Sequence, residues 1–200
     1  MIINNIESIK GFMPSHEGEA LYSWANKFCH KGPVIEIGTY CGKSTIYLAH
    51  GALEADEIVY TIDHHSGSEE HQIKEEYFDS DVYDQSINRV NTFPLFLENI
   101  KNYNLENVVP IVASSLITSK SWQTSAGLIF IDGGHSMDSA LSDYNSWAKH
   151  VVTGGALVIH DIYEDPAKGG QAPYEIYKIA LQNGFVEYER VDTIVCLVKV

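Results

Sequence analysis

Short apolar runs alternate along the chain with segments in which apolar residues recur at helical spacing. The runs 128–131 and 156–159 contain no polar residue, which is typical of strands in a sheet that is buried on both faces. Between these two runs, the apolar residues of 137–148 recur every three or four positions and predict an amphipathic helix. Strands that alternate with helices in this way predict an α/β protein with a doubly wound, mostly parallel sheet.

The same criteria predict the remaining elements. Helices are expected at about 16–30, 43–51, 94–103 and 173–182, and strands at 34–38, 57–62 and 108–112. The apolar face of the first helix, which leads into the sheet, carries Leu21, Trp24, Ala25 and Phe28. The last two stretches, 185–191 and 193–200, alternate in polarity and are too close in sequence for a crossover, so they predict an antiparallel hairpin.

Size and charge narrow the class of protein. The 200 residues, of which 44% are hydrophobic, fit one domain over 1–200. Thirteen Lys and Arg against 27 Asp and Glu give a net charge of −14, which disfavours nucleic acid and anionic membranes as partners. The widely spaced Cys29, Cys41 and Cys196 indicate no disulfide framework, and no apolar run approaches the roughly 20 residues of a membrane span. We therefore expect a cytoplasmic protein.

Residues 64–93 depart from the pattern of strands and helices because charge is dense there and apolar periodicity is weak. The ionisable residues of this stretch include His64, His65, Glu69, Glu70, His71, Glu75, Glu76, Asp79, Asp81 and Asp84. Such a run predicts an acidic insertion or lid. The alternative is a second metal site made by its members at 64, 65, 69, 70 and 71.

Ionisable residues directly follow three of the predicted strands. They are Asp63, Asp132 and the pair His160-Asp161. In doubly wound sheets, ligands bind outside the carboxyl ends of the strands, so we expect these residues to border a site.

A turn punctuated by glycines follows the first strand. Gly38 and Gly42 would let the backbone approach a ligand and would leave helix amides directed towards it. Asp63 lies 25 residues beyond Gly38, close to the roughly 20 expected for a carboxylate that binds ribose hydroxyls, which points to a nucleoside ligand. The alternative is that the glycines serve only a tight turn and that Asp63 caps the next element.

Several runs together resemble a known family. They are GPVIEIGTYCGKST, YTIDHH, LIFIDGGHS, DYNSWAKH and GGALVIHD, followed by the C-terminal hairpin. From about Pro33 to Val200 the chain is similar to class I S-adenosylmethionine (SAM)-dependent methyltransferases. More narrowly, it resembles the small O-methyltransferase-like group that includes macrolide sugar methyltransferases and relatives of cephalosporin-type hydroxylases. The resemblance implies a Rossmann-like, seven-stranded sheet with an antiparallel C-terminal strand, and methyl transfer from SAM to a hydroxyl of a small molecule.

The resemblance also implies a set of cofactor-binding residues. Glu36, Gly38 and Gly42 would approach the methionine part of SAM, Asp63 would hold the ribose, and Ser114 would lie near the adenine. The expected set is completed by Thr39, Ser44, His64 and Asp132. The chain departs from many members at Tyr40 and Cys41, where small residues are common.

Metal-using O-methyltransferases of the catechol type place ligands after the fourth and fifth strands. The corresponding positions here are Asp132, His160 and Asp161. Oxygen ligands suit Mg²⁺ or Ca²⁺, and an imidazole among them favours metals such as Mn²⁺. The alternative is that Asp132 caps the following helix through Ser136 and its neighbours and that His160 is a partly buried histidine with satisfied hydrogen bonds.

His135 is the candidate general base beside the candidate catalytic residue Asp132, because an imidazole can accept a hydroxyl proton at neutral pH. Alternatively, His135 only bonds local backbone. Two other functions stay open: a metal-dependent hydrolase built on Asp132, His135, His160 and Asp161, and a non-catalytic nucleoside binder. For partners we expect a small-molecule acceptor and a second copy of the chain in a homodimer.

Overall fold

The computed structural model describes residues 3–68, 72–75 and 78–200. Within these ranges the central sheet contains β1 (Val34–Ile37), β2 (Val59–Asp63), β5 (Val108–Val112), β6 (Ala126–Ile131), β7 (Val151–Ile159), β8 (Phe185–Val191) and β9 (Ile194–Lys199). A separate hairpin consists of β3 (Tyr83–Asp84) and β4 (Arg89–Val90). The α-helices are α1 (Ser15–Phe28), α2 (Lys43–Leu53), α3 (Phe93–Asn102), α4 (Ser115–Ser119), α5 (Met137–Trp147) and α6 (Ala172–Gln182).

The strand order in the central sheet is β5-β2-β1-β6-β7-β9-β8. All pairs from β5 to β7 are parallel, whereas β9 runs antiparallel to both of its neighbours, β7 and β8. This topology confirms the prediction of a Rossmann-like, doubly wound, mostly parallel seven-stranded sheet with an antiparallel C-terminal strand. Because β1, β2, β6 and β7 are parallel, their carboxyl ends meet along one edge of the sheet, and the ionisable residues that follow them gather there.

The core lies on both faces of the sheet. In β6, Leu128 and Phe130 belong to the apolar cluster that includes α1 and α2, while Ile129 and Ile131 belong to the cluster that includes α5 and α6. Successive strand residues point to opposite faces, so a strand covered on both faces needs apolar side chains at every position. This explains why the run 128–131 has no polar residue.

Helices α1 and α2 pack very closely. A side-chain carbon built at Gly18 in α1 would overlap the ring of Tyr47 in α2, so only glycine permits this approach. The contact fixes α1 against the sheet, and α1 in turn carries Glu17 towards the carboxyl edge, where it contacts a residue after β7.

The described part of the acidic segment 64–93 packs beside the turn after β1. Val82 and Val90 pack on Cys41, and Lys10 binds the carboxylates of Asp79 and Asp81 at 2.5 and 2.7 Å. Glu69, Glu70, His71, Glu76 and Tyr77 lie outside the described residues. The lid and the alternative second metal site therefore stay predictions, as does the single domain over 1–200.

Among the described residues, every helix is too short or too polar to cross a lipid bilayer.

Candidate active site

The turn after β1 depends on its glycines for two different reasons. Gly38 has φ +85° and Gly42 has φ +89°, a region of backbone conformation that favours glycine. A side-chain carbon at Gly38 would also overlap the backbone carbonyl of Asp132, so this glycine lets the β1 turn lie directly against the end of β6. The close approach joins the predicted cofactor turn to the predicted catalytic residues.

Asp63, at the end of β2, holds this turn in place. One of its carboxylate oxygens accepts hydrogen bonds from the backbone N–H groups of Thr39 and Tyr40 at 2.9 and 3.0 Å. The other accepts from the N–H of His65 at 2.7 Å. The neighbouring His64 has an exposed side chain. Asp63 thus lies beside the turn after β1, as predicted. Both of its oxygens accept hydrogen bonds from backbone amides around the site where the cofactor is expected.

Glu36 lies beneath the turn rather than at its surface. Its carboxyl group is fully buried and accepts hydrogen bonds from the hydroxyls of Ser44 and Thr45, each at 2.6 Å. Burial raises the pKa of Glu36 to about 8, and the hydrogen bonds from Ser44 and Thr45 oppose this shift. Glu36 and Ser44 therefore bind each other and support the start of α2, and their direct contact with a cofactor stays a prediction.

One buried polar atom of the turn lacks a partner among the described residues. Thr39 is 3% exposed, and its hydroxyl makes no hydrogen bond there. Buried hydroxyls are normally paired, so an orphaned one beside a proposed ligand site is a feature that a bound ligand could satisfy.

On the predicted adenine side, Ser114 caps α4 by accepting a hydrogen bond from Ile117. The adjacent Ser115 donates a hydrogen bond from its hydroxyl to Asp143 of α5. Burial raises the pKa of Asp143 to about 6, although the bond from Ser115 opposes this shift. The pair connects α4 to α5 directly below the backbone of Gly133.

Three of the predicted catalytic and metal residues come together after β6 and β7. Asp132, His135 and Asp161 each offer a ligand atom, and these atoms all lie within 4.8 Å of one another. His135 Nε2 is 3.2 Å from Asp161 Oδ2, and all three side chains are partly exposed. The alternative that Asp132 caps α5 does not match the structure, because Ser136 supplies that cap by accepting a hydrogen bond from Ser139.

His160 lies behind this group instead of within it. The imidazole is 5% exposed; its Nδ1 is 3.0 Å from Asp132 and its Nε2 is 2.9 Å from Glu17. Since ionised carboxylates only accept hydrogen bonds, both nitrogens donate and the ring carries a proton. Burial alone would lower the pKa of His160, but Asp132 and Glu17 raise it well above its usual value. Both nitrogens of His160 face carboxylates, and among the described residues the group whose ligand atoms lie within 4.8 Å of one another contains His135 and not His160. The role of His160 as a metal ligand stays a prediction.

Glu17 and Asp143 are residues of this region that sequence reasoning missed. Glu17 lies four residues before Leu21 and is therefore on the apolar face of the first helix, where a carboxylate needs a buried partner. A carboxylate on the apolar face was therefore the sequence signal that could have identified Glu17. Asp143 carried the same signal, because it lies three residues after Ala140 and four before Trp147 on the apolar face of α5, where it is buried with them.

The fold and this cluster define a class of protein, and comparison with known families agrees. A family model described as a methyltransferase domain matches residues 35–162, which is more than half of the chain. The chain therefore belongs to the methyltransferase-domain family.

Solved structures of similar fold include O-methyltransferases. NovP is 16% identical with a TM-score of 0.67, and the match covers 92% of this chain and 79% of that one. TomG from Streptomyces achromogenes, which is involved in tomaymycin synthesis and was solved with SAM, is 13% identical with a TM-score of 0.63 and coverages of 94% and 82%. A protein from Corynebacterium glutamicum is 13% identical with a TM-score of 0.67 and coverages of 97% and 84%. The family match and the shared fold confirm the predicted class, a SAM-dependent methyltransferase of class I.

Proposed function

We propose that this methyltransferase moves a methyl group from SAM to a hydroxyl of a small molecule with the help of a divalent cation. The observation that carries the proposal is the cluster of Asp132, His135 and Asp161 directly beside the glycine turn. The relatives NovP and TomG, described as O-methyltransferases, support the choice of an oxygen acceptor.

The turn after β1 has features that suit a nucleoside cofactor. Its two glycines keep side chains away from the backbone, Asp63 holds the amides of Thr39 and Tyr40, and the hydroxyl of Thr39 is buried without a partner among the described residues. We assign the methionine part of SAM to this turn, the ribose to Asp63 and the adenine to the start of α4 at Ser114. TomG was solved with SAM, which supports the identity of the cofactor.

The donor atoms after β6 and β7 suit a divalent cation. Asp132 and Asp161 supply carboxylate oxygens, and Mg²⁺ is commonly held by one or two carboxylates together with water and substrate. The carboxylates of Asp132, Asp161 and Glu17 all lie within 4 Å of His160, and a divalent ion would offset the repulsion between such closely spaced carboxylates. Mg²⁺ or Mn²⁺ fits this set better than Ca²⁺, which prefers six or more oxygen ligands.

His135 is placed to receive the acceptor's proton on its imidazole. Its Nε2 faces Asp161 at 3.2 Å, and a carboxylate paired with an imidazole orients the ring and favours its protonated form. Although burial would raise the pKa of Asp161, the hydrogen bond from His135 and the charge of His160 lower it, so Asp161 is ionised at neutral pH.

In the proposed reaction the protein mainly orients the two reactants. Bound SAM supplies an activated methyl group and its own leaving group, and the cation when bound lowers the pKa of the acceptor hydroxyl. Asp132 and Asp161 would hold the cation that orients the acceptor oxygen, and the β1 turn, which lies against the end of β6, would hold the cofactor beside them. His135 would take up the proton of the acceptor hydroxyl, so that the oxygen could form its bond to the methyl carbon as the bond from that carbon to sulfur breaks.

The cofactor assignment is tested by calorimetry with the demethylated product of SAM. Asp63→Asn removes one charge and one acceptor oxygen, so it should lose about 1–3 kcal/mol of binding free energy. Asp56→Asn is the matched control because Asp56 is exposed and precedes β2, at the opposite edge of the sheet. Equal affinity of the wild type and the Asp63 variant would move the cofactor elsewhere.

The hydroxyl acceptor is identified by a turnover screen of small phenols, sugars and hydroxy acids with added Mg²⁺ or Mn²⁺. Full turnover after exhaustive removal of metal would refute the role of the cation. Hydrolysis of esters without SAM would favour the metal-dependent hydrolase instead. Cofactor binding without turnover on any acceptor would favour the non-catalytic nucleoside binder.

A further inference from the structure

We propose that Glu17 is a positioning residue of the active site, which acts through His160 to hold Asp132 in the orientation that binds the cation. The inference deepens the proposed function and rests on its cation site. Glu17 belongs to α1, outside the residues 35–162 that the methyltransferase family model matches.

The carboxylate of Glu17 is almost completely buried and fully engaged. It is 1% exposed, and its Oε2 accepts a hydrogen bond from His160 Nε2 at 2.9 Å. Its Oε1 accepts from the backbone N–H and the hydroxyl of Thr193, each at 2.7 Å. The three bonds fix the position of the carboxylate between α1 and the turn that joins β8 to β9.

His160 connects Glu17 to the proposed cation site. Its second nitrogen, Nδ1, donates to Asp132 Oδ1 at 3.0 Å and lies 3.6 Å from Asp161 Oδ2. A ring held at both nitrogens cannot turn without losing both hydrogen bonds. One oxygen of Asp132 is therefore held from the interior, while its side chain stays 23% exposed towards the cleft.

A purely structural role would not require this chemistry. An apolar pair of similar volume could pack α1 against β7 without removing charged groups from water, and such replacements are often neutral or stabilising. The charged pair instead ends on Asp132, one of the proposed ligands. Residues that orient metal ligands through a hydrogen bond typically change metal affinity by about 10- to 100-fold when they are altered.

The test is a Mn²⁺ titration of the full-length protein, followed by electron paramagnetic resonance and compared with thermal melting. Glu17→Gln keeps the shape of the side chain and removes its charge, and we expect it to weaken Mn²⁺ binding about 10- to 100-fold. Affinity for the demethylated product of SAM should change less than about twofold. Thr193→Val is the matched control. It removes the hydroxyl bond to Glu17, but the backbone N–H of residue 193 and His160 still hold one carboxylate oxygen each, so Mn²⁺ affinity should be unchanged.

A double-mutant cycle then tests the route through His160. If Glu17 acts through this residue, Glu17→Gln should have no further effect on Mn²⁺ affinity in a His160→Gln background. An effect of equal size in both backgrounds would overturn the inference. Should Glu17→Gln fail to fold, Glu17→Asp takes its place, because the shorter side chain keeps the charge but cannot reach His160 and Thr193 together.

The outcomes separate this inference from the proposed function. If the wild type binds Mn²⁺ and Glu17→Gln binds it as Thr193→Val does, Glu17 has no positioning role and the cation site stands. If the wild type does not bind Mn²⁺ while it binds the demethylated product of SAM, the cation site and the role of Glu17 both fall and the cofactor assignment stands.

Discussion

The buried carboxyl group of Asp143 allows a quantitative prediction of how the free energy of unfolding depends on pH. Burial raises its pKa from 3.8 to about 6, with the hydroxyl of Ser115 as its hydrogen-bond donor. A folded-state pKa above the unfolded value means that ionisation favours unfolding as the pH rises. A difference of about 2 pH units at about 1.36 kcal/mol each corresponds to a cost of about 3 kcal/mol in the free energy of unfolding.

Asp143→Asn should remove this cost, because the amide keeps an oxygen that accepts from Ser115 and carries no charge. The variant should match the wild type below about pH 3, where the carboxyl group is largely protonated in both states. Its advantage should be about 0.5 kcal/mol at pH 4, grow up to about pH 6 and reach about 2–3 kcal/mol at pH 7. Urea unfolding at a series of pH values measures this directly.

Asp138→Asn is the control, because Asp138 lies in the first turn of the same helix and is exposed. Its difference from the wild type should not grow with pH in the stabilising direction. If Asp143→Asn differs from the wild type by the same amount at pH 4 and pH 7, the buried carboxyl group does not titrate as argued. In that case the reasoning from burial is wrong.

Three further predictions concern packing, catalysis and the acidic segment. Gly18→Ala should lower the free energy of unfolding by about 1–3 kcal/mol in urea titrations, because the added methyl group would overlap the ring of Tyr47. An unchanged urea midpoint would refute this close packing of α1 on α2. His135→Gln should lower turnover about 100-fold or more while Mn²⁺ affinity changes little, whereas a large loss of Mn²⁺ affinity would make the imidazole a ligand. Lys10→Ala should speed hydrogen exchange around Asp79, since it removes a contact at 2.5 Å; equal exchange would show that the N-terminal segment does not hold the acidic segment.

The alternation of strands and helices and the place of the candidate site could be predicted from local patterns. The runs 128–131 and 156–159 are wholly apolar because both faces of the sheet are covered, and each ends abruptly at an ionisable residue. Parallel strands bring such residues to one edge, so the sequence alone assigns Asp132 and Asp161 to one site, and the structure brings them together.

The different positions of His135 and His160 could not be predicted in this way. His160 directly follows β7 and is an equally good ligand by sequence, yet it is buried between Asp132 and Glu17, while His135 reaches Asp161 from the loop before α5. Glu17 is separated from His160 by 143 residues. Their pairing depends on how closely α1 packs on α2.

The sequence by itself determined the class of fold, the glycine turn after β1 and the carboxylates at the strand ends, because periodicity, glycine positions and strand termini are local properties of the chain. The tertiary structure alone decided which of these groups are charged and what each one faces. Burial raises the pKa of Glu36 and of Asp143, whereas Asp132 and Glu17, both distant in sequence, raise the pKa of His160. Desolvation and Coulomb interactions depend on distances in space, and those distances exist only once the helices have packed on both faces of the sheet.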